Sequence, residues 1–399
     1  MNAPALELDE AQARLLALAV PLSHERMPVN EAAGRYLAEP LLARRTQPPA
    51  DLSAMDGYAV RSADLPERWR VIGESACGHP FSGTVAAGEA VRIATGALVP
   101  GGADLVLLQE DCRRKEQHLE LVAAPSPARN IRAAGMDFTE GQELLAAGTR
   151  LGPSQIALAL TGGHRMVAVH RRVNVAVLDT GDELSADPEH CALHQIPASN
   201  GAMLAAMAAA WPCQVVHGAP VPDRLEALVA AFDAASAADL IVTSGGASVG
   251  DHDLLRPALE QWGAQIEFWR VAIKPGKPLL VARKGRTIVL GLPGNPVSSH
   301  VTAYLFLLPL IRAMSGAAAV LPNSIEAMLA QDMPAAGARR EFVRGRWDGM
   351  RVNPLRNQDS GALATLAASN ALIERPAGAP AMAAGSAVTI YLIENGGIA

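Results

Sequence analysis

Aromatic residues are scarce in this chain: six Phe, five Trp and four Tyr amount to 4% of 399 residues. Its cores are therefore expected to be aliphatic, and 35 Gly with 28 Pro point to many tight turns. Cysteine is sparse as well. Cys77, Cys112, Cys191 and Cys213 lie far apart with no C-x-x-C pair, which argues against a disulfide frame or a zinc knuckle. There is no excess of positive charge: 34 Lys and Arg against 40 Asp and Glu give a formal net charge of −6. A dedicated nucleic-acid binder needs a broad basic face, so nucleic acid is excluded as a partner. No uninterrupted apolar run reaches the roughly 20 residues that span a bilayer. The nearest, 297–314, is interrupted by Ser298, Ser299, His300 and Arg312 and reads as a buried helix. The first residues carry acids where a signal peptide needs positive charge, so the expectation is a cytoplasmic protein without membrane association. Neither G-x-x-x-x-G-K-[ST] nor a proper G-x-G-x-x-G is found.

What is present is a change of texture along the chain. Residues 9–20 have helical spacing, and so does NEAAGRYLAEPL behind a possible N-cap at Asn30. From about 50 to 132 come short β-type runs (WRVIGE, AVRIAT, ADLVLLQE, HLELVA), and helical texture returns at SQIALALTGG. This predicts a helical linker unit, 1–45 and 133–170, carrying an inserted β-rich module at 46–132. From about 172 strands and helices alternate, which predicts a mainly parallel sheet covered on both faces, an α/β/α domain over 171–317. Past Pro322 the texture is β again, giving a terminal barrel or sandwich over 318–399. The fold class is thus multidomain α/β.

In an open parallel sheet, ligands gather beyond the carboxyl ends of the strands. Three loops there are rich in glycine: Thr180-Gly181-Asp182-Glu183, Ser244-Gly245-Gly246 running through Ser248 to Asp251-His252-Asp253, and Pro293-Gly294-Asn295-Pro296 leading into Ser298. Such glycines let backbone N–H groups approach an anion. One such loop is an ordinary strand–helix turn; three in one sheet are harder to dismiss. Arg270, Lys274, Lys277, Arg283, Lys284 and Arg286 form a local positive island, with prolines bracketing Lys274 and Lys277. Asp56, Asp137, Glu183, Asp251 and Asp253 supply hard oxygens that suit Mg²⁺ beside phosphate, although a single Asp after a strand more often serves a turn. His190 and His194 have helical spacing but no third ligand nearby, so no zinc site is read there.

With these loops in view, the chain resembles the MoeA/gephyrin family from near its start to near its end. The segments that carry the resemblance are QPPADLSAMDGYAV, RIATGALVPGGADLV, GMDF, VAVLDTGDEL, DLIVTSGGASVGDHD, AIKPGKP, GLPGNPVSS and NQDSGALATLAASNALIERP. The resemblance implies a molybdopterin-binding α/β/α domain with a C-terminal β-barrel, and a Mg²⁺-dependent transferase that inserts molybdate into adenylylated molybdopterin with release of AMP. It implies a homodimer whose cleft joins one subunit's α/β domain to the other's inserted module, with a molybdopterin adenylyltransferase, apo-molybdoenzymes and their chaperones as transient partners. Residue by residue, it implies catalytic roles for Asp56, Asp137, Glu183, Asp253 and Lys274, and metal ligation by Asp56, Glu183, Asp251 and Asp253. Substrate binding falls to Thr180, Gly181, Asp182, Asp223, Ser244, Gly245, Gly246, Ser248, Lys277, Pro293, Gly294 and Asn295. The molybdate pocket would comprise Lys277, Pro278, Ser298, Arg339 and Ser360, with Arg340 beside Arg339 as a competing arginine. The chain departs from the family pattern at Asp179, where a Ser is usual. The alternatives are an adenylyltransferase-like enzyme, which would share the α/β/α domain alone, and a non-catalytic molybdopterin-binding scaffold.

Overall fold

Runs of Val, Ile and Leu unbroken by polar residues build the central sheet of this computed structural model, which describes residues 5–65, 68–124, 129–245 and 254–393. Strands Cys213–His217, Val173–Asp179, Leu240–Ser244 and Thr287–Leu292 lie side by side in parallel, and Leu280–Lys284 and Gln265–Trp269 extend the sheet antiparallel. The two central strands, Leu240–Ser244 and Thr287–Leu292, are buried at every position. This is the signature of a sheet covered on both faces.

Helix Ser199–Ala209 and the long helical stretch Pro296–Met314 cover one face, packing Leu204, Ala208, Val301, Tyr304 and Leu308 against Val175, Val177 and Leu290. Helices Leu225–Ala234 and Leu255–Trp262 cover the other, with the Phe232 and Trp262 rings 5.3 Å apart. The Pro296–Met314 stretch is apolar enough to cross a membrane by composition, yet 89% of it is buried inside the fold, as a core helix should be.

That core helix is not a uniform α-helix. It widens into a π turn at Ala303–Leu307, just before Pro309. Pro309 has no N–H to give to the carbonyl four residues back, and its ring crowds that carbonyl. The carbonyl belongs to Leu305, and Gln12 Nε2 donates to it at 2.8 Å from the buried side of helix Leu8–Leu18. Leu8, Ala11 and Leu15 of that helix join the α/β core, so the first helix is a brace on this domain.

The stretch after Asn30 differs from its expected helix. Val29–Glu31 forms one 3-10 turn, Gly34 takes φ 77°, and Tyr36 and Leu37 make bridges to Arg150 and Val169. The left-handed glycine ends the helical run that the apolar spacing suggests. Around it, His24–Pro28 pairs with Met166–His170 and Leu41–Leu42 with Glu143–Leu145, while helix Pro153–Thr161 packs alongside. The expected β runs of 50–132 form one six-stranded sheet over Tyr58, Trp69, Val71, Leu107 and Leu119.

The C-terminal region closes into a five-stranded barrel. Arg340–Trp347 pairs with Arg351–Pro354 and Ala371–Arg375; Ala387–Leu392 and Ser324–Leu329 complete the ring. Closure leaves little free edge. One remaining stretch, Arg340–Glu341, is taken by Ile273–Lys274 from the α/β domain as a parallel neighbour. The basic loop therefore starts on the barrel.

Candidate functional site

The strand pairing of Ile273–Lys274 with the barrel opens a cleft of about 720 Å³ between the Lys274–Pro278 loop, the start of the core helix and the barrel wall. Gly276 makes the loop's close approach possible. Its φ is 104°, and a Cβ there would stand 2.5 Å from Thr302 Cγ2 on the core helix. Lys274, Lys277, Pro278, Ser298, Arg339 and Ser360 all line this one cleft, although they come from four separate stretches of chain. Lys274 Nζ pairs with Glu341 Oε1 at 3.1 Å. Arg356 and Arg375 join the lining, so five cationic side chains face Asp332, Glu341 and Asp359, an excess suited to an anion.

The structure separates the two adjacent arginines. Arg339 donates Nη1 to the Ile273 carbonyl at 3.0 Å and lines the cleft. Arg340 is held elsewhere, by Asp9 at 2.8 Å and by Glu374.

A second cleft of about 320 Å³ opens at the carboxyl ends of the parallel strands, lined by Asp179, Thr180, Glu183, Asn200, Ser244, Gly245 and Gly294 among others. Gly245, at φ 104°, lies so close to the first loop that a Cβ would fall 2.4 Å from the Thr180 carbonyl. Asn200 Nδ2 donates to the Gly294 carbonyl at 2.6 Å, tying the second face helix to the third loop. Pro293 and Asn295 flank Gly294 where the strand turns into the core helix, and the Asn295 carbonyl accepts from Ser299 N–H at 2.8 Å. The segment carrying Ser360 and Gly361 divides the two clefts: Ser360 lines the larger and Gly361 the smaller.

Acidic groups collect beside the smaller cleft. Asp182 Oδ1 accepts the Asp223 N–H at 3.0 Å. Burial pushes the Asp223 carboxyl up from its ordinary pKa, and the nearby charges of Asp182 and Glu183 push the same way. Among the described residues no three His, Cys, Asp or Glu side chains converge as a ready-made metal cluster. Gly246, Ser248, Asp251, His252 and Asp253 lie outside the described residues.

Asp56 and Asp137 are not brought to either cleft of their own chain. Both lie exposed on the N-terminal part, Asp56 in the inserted module, where its Oδ1 accepts from Thr95 N–H at 2.6 Å and Thr95 Oγ1 at 2.9 Å. These two bonds hold the Asp56 carboxyl below the usual carboxylate range. The Asp137 N–H donates to the Gln47 carbonyl at 3.1 Å, which fixes its backbone next to Pro48.

The motifs assign no role to two buried residues at or behind the clefts. Asp179 is buried in the smaller cleft, where Oδ2 accepts from Gly201 N–H at 3.1 Å and pairs with His217 Nε2 at 3.1 Å. Arg344 lies buried behind the Ser360 segment. Its signal is the alternation in REFVRGRW, which places an Arg on the same parity as Phe342, the face turned to the α/β core.

Three family models match in chain order: the MoeA N-terminal region (domain I and II) over 6–163, a probable molybdopterin binding domain over 176–313, and the MoeA C-terminal region (domain IV) over 326–393. A molybdopterin molybdenumtransferase of Haemophilus influenzae is 37% identical over 346 residues, covering 85% of each chain. The chain belongs to the MoeA family. A molybdopterin molybdenumtransferase of a Nostoc species is 34% identical, over 90% of this chain and 86% of its own. The crystal structure of a molybdopterin biosynthesis MoeA protein from Pyrococcus horikoshii superposes with a TM-score of 0.85 at 27% identity, covering 98% of this chain and all of that one. The MoeA match thus extends through the N-terminal region, the α/β domain and the barrel. An adenylyltransferase-like relationship would be confined to the α/β domain.

Proposed function

We infer that this chain inserts molybdate into adenylylated molybdopterin, releasing AMP and completing the molybdenum cofactor. The observation that carries this reading is the convergence of Lys274, Lys277, Ser298, Arg339 and Ser360 in one anion-suited cleft, next to a second cleft built from glycine loops. Molybdate is a dianion with four acceptor oxygens. Lys277 and the Arg339 fork supply charge-assisted donors to it, and Ser298 and Ser360 supply hydroxyls. Pro278 closes one side. The adenylylated pterin lies in the smaller cleft, with Thr180, Gly181, Asp182, Ser244, Gly245, Gly294 and Asn295 around it, so that its dithiolene end meets the oxyanion across the Ser360–Gly361 divide. Lys274, oriented by Glu341, offsets charge that develops as water cleaves the phosphate bridge and AMP departs.

The carboxylates at the smaller cleft suit a hard cation. Asp223 is raised first by burial and to a lesser degree by the charges of Asp182 and Glu183, which a divalent ion beside them would offset. Glu183 would hold it from the described strand ends, and the family resemblance adds Asp251 and Asp253. When bound, Mg²⁺ neutralises phosphate charge. Asp56 and Asp137 belong to the same site through a second copy: a homodimer in which each inserted module faces the partner's clefts puts both acids where their own chain does not. A cytoplasmic location fits a reaction fed by an adenylyltransferase and drained by apo-molybdoenzymes or their chaperones.

The test is anaerobic incubation of the purified protein with adenylylated molybdopterin, Mg²⁺ and molybdate, following AMP release and activation of an apo-molybdoenzyme. Molybdate-dependent AMP release with active cofactor is the expected outcome; tight binding of the pterin without turnover would point to the scaffold reading. Asp56→Ala and Lys277→Ala, each strongly impaired alone at low molybdate, should regain activity when mixed and refolded as heterodimers, since one of the two sites then holds both native residues. No recovery would place Asp56 outside the partner's site.

A further inference from the structure

The segment 357–362 divides the two clefts, and its shape is set by a residue that lines neither. Arg344 is 1% exposed, on the Phe342 face of the longest barrel strand, opposite the face that sends Val343 and Trp347 to the barrel core. Its Nη2 donates to the Asn357 carbonyl at 3.1 Å and the Asp359 carbonyl at 2.9 Å. Its Nη1 donates to the Ala362 carbonyl at 3.2 Å, and Nε to Gln358 Oε1 at 3.4 Å. Gln358 closes the knot from outside, its amide accepting from Arg344 N–H at 3.0 Å and donating to the Arg344 carbonyl at 3.0 Å. The Ser360 carbonyl accepts from Val297 N–H at 3.0 Å on the core helix, and the Gly361 carbonyl from Leu363 N–H at 2.9 Å.

The consequence is electrostatic. A turn of this length has several carbonyl oxygens to direct, and any that faced an anion cleft would repel its occupant. Arg344 gathers three of the six around a buried cation, Val297 takes that of Ser360, and Leu363 that of Gly361. Ser360 is left to face the cleft that Lys277 and Arg339 line. We propose that Arg344 is a positioning residue for the oxyanion substrate, acting through the 357–362 segment to turn its carbonyls inward and Ser360 toward molybdate. The guanidinium fork is essential to this, because one ammonium cannot meet three carbonyls in different directions. This inference rests on the reading of the larger cleft as the molybdate seat.

The experiment is a double-mutant cycle between Arg344→Lys and Ser360→Ala, read as KM for molybdate, kcat, and the dissociation constant for adenylylated molybdopterin in the anaerobic insertion assay. Arg344→Lys should raise the molybdate KM about tenfold, the loss of one hydrogen bond to a charged ligand, and leave pterin affinity unchanged. In the Ser360→Ala background the same change should add no more than roughly twofold, because the two residues act as one unit. If Arg344→Lys does not fold, Gln358→Ala, an exposed position, loosens the same knot and should show a smaller rise that also vanishes in the Ser360→Ala background. Equal penalties in both backgrounds, or a parallel loss of pterin affinity, would mean that Arg344 only holds the barrel together. If Lys277→Ala raises the molybdate KM and Ser360→Ala does not, the cleft stands and the role of Arg344 falls. If neither does, the cleft assignment itself falls, and this inference with it.

Discussion

Replacing Arg339 by Ala should weaken molybdate use, and replacing its neighbour Arg340 should not. Arg339 is pre-oriented: one Nη donates to the Ile273 carbonyl at 3.0 Å, which leaves the rest of its planar fork directed at the cleft. The cost of losing such a donor to a dianion is about 1.5–3 kcal/mol, the range for hydrogen bonds to charged groups, or roughly tenfold to a hundredfold in molybdate KM at 25 °C. The affinity for adenylylated molybdopterin should hold, because the proposed seat of that ligand is the other cleft. Arg340→Ala should do the reverse. It strips Glu374 and Asp9 of their partner, so it should lower the thermal midpoint while leaving the molybdate KM unchanged. Steady-state AMP release against molybdate concentration, with a melting curve for each variant, measures both. If Arg340→Ala raised the KM and Arg339→Ala left it alone, the geometric argument that separates the two arginines would be refuted.

Gln12→Leu should destabilise the chain by about 1–3 kcal/mol, because the Leu305 carbonyl loses its donor while buried. Pro309→Ala restores an N–H four residues on, so the Gln12 penalty should shrink in that background; strictly additive urea midpoints would contradict this account of the π turn. Asp223→Asn should raise the thermal midpoint of the metal-free protein at neutral pH. Burial and the charges of Asp182 and Glu183 raise the pKa of Asp223, so the folded chain disfavours its ionised form; any stability tied to its proton is present at low pH and lost as pH rises. The advantage of Asn should therefore fade on acidification toward about pH 3, where the native carboxyl is protonated; an undiminished advantage there would count against it. Gly276→Ala should lower the melting temperature and raise the molybdate KM together, since φ 104° and a 2.5 Å approach to Thr302 force the basic loop to move. A variant that melted lower with native kinetics would show that the loop's position does not govern the cleft.

The strands were the legible part of this sequence. NVAVLD, DLIVTS and TIVLGL are local patterns whose burial on both faces follows from their composition, and the structure has them as neighbours in one parallel sheet. The stretch after Asn30 was not legible, because apolar spacing is indifferent to a single Gly34 that turns left-handed. Of the expected site, the Lys277, Pro278, Ser298, Arg339 and Ser360 set falls in one cleft, and Thr180, Glu183, Ser244, Gly245 and Gly294 in the next. Spacing alone could not join positions more than 80 residues apart; the resemblance supplied that. Arg344 and Gln12 escaped notice for a related reason. Each satisfies carbonyls of a distant segment, and backbone carbonyls leave no mark in a sequence.

The two-residue strand Ile273–Lys274 is a small element with a large effect on how the parts can move. It belongs to the α/β domain by chain and to the barrel by hydrogen bonding, so the joint between these bodies runs through the anion cleft itself. A swing of the barrel cannot open the cleft like a door while Lys274 stays on one jamb and Arg339 on the other. Both ride on the same seam, Lys274 beside Glu341 and Arg339 against the Ile273 carbonyl, and would travel together. The far side is tied as well, because the Ser360 carbonyl on the barrel loop accepts from Val297 N–H at the start of the core helix. The cleft is thus pinned at both margins, and a swing of the barrel carries its lining along rather than prising it open.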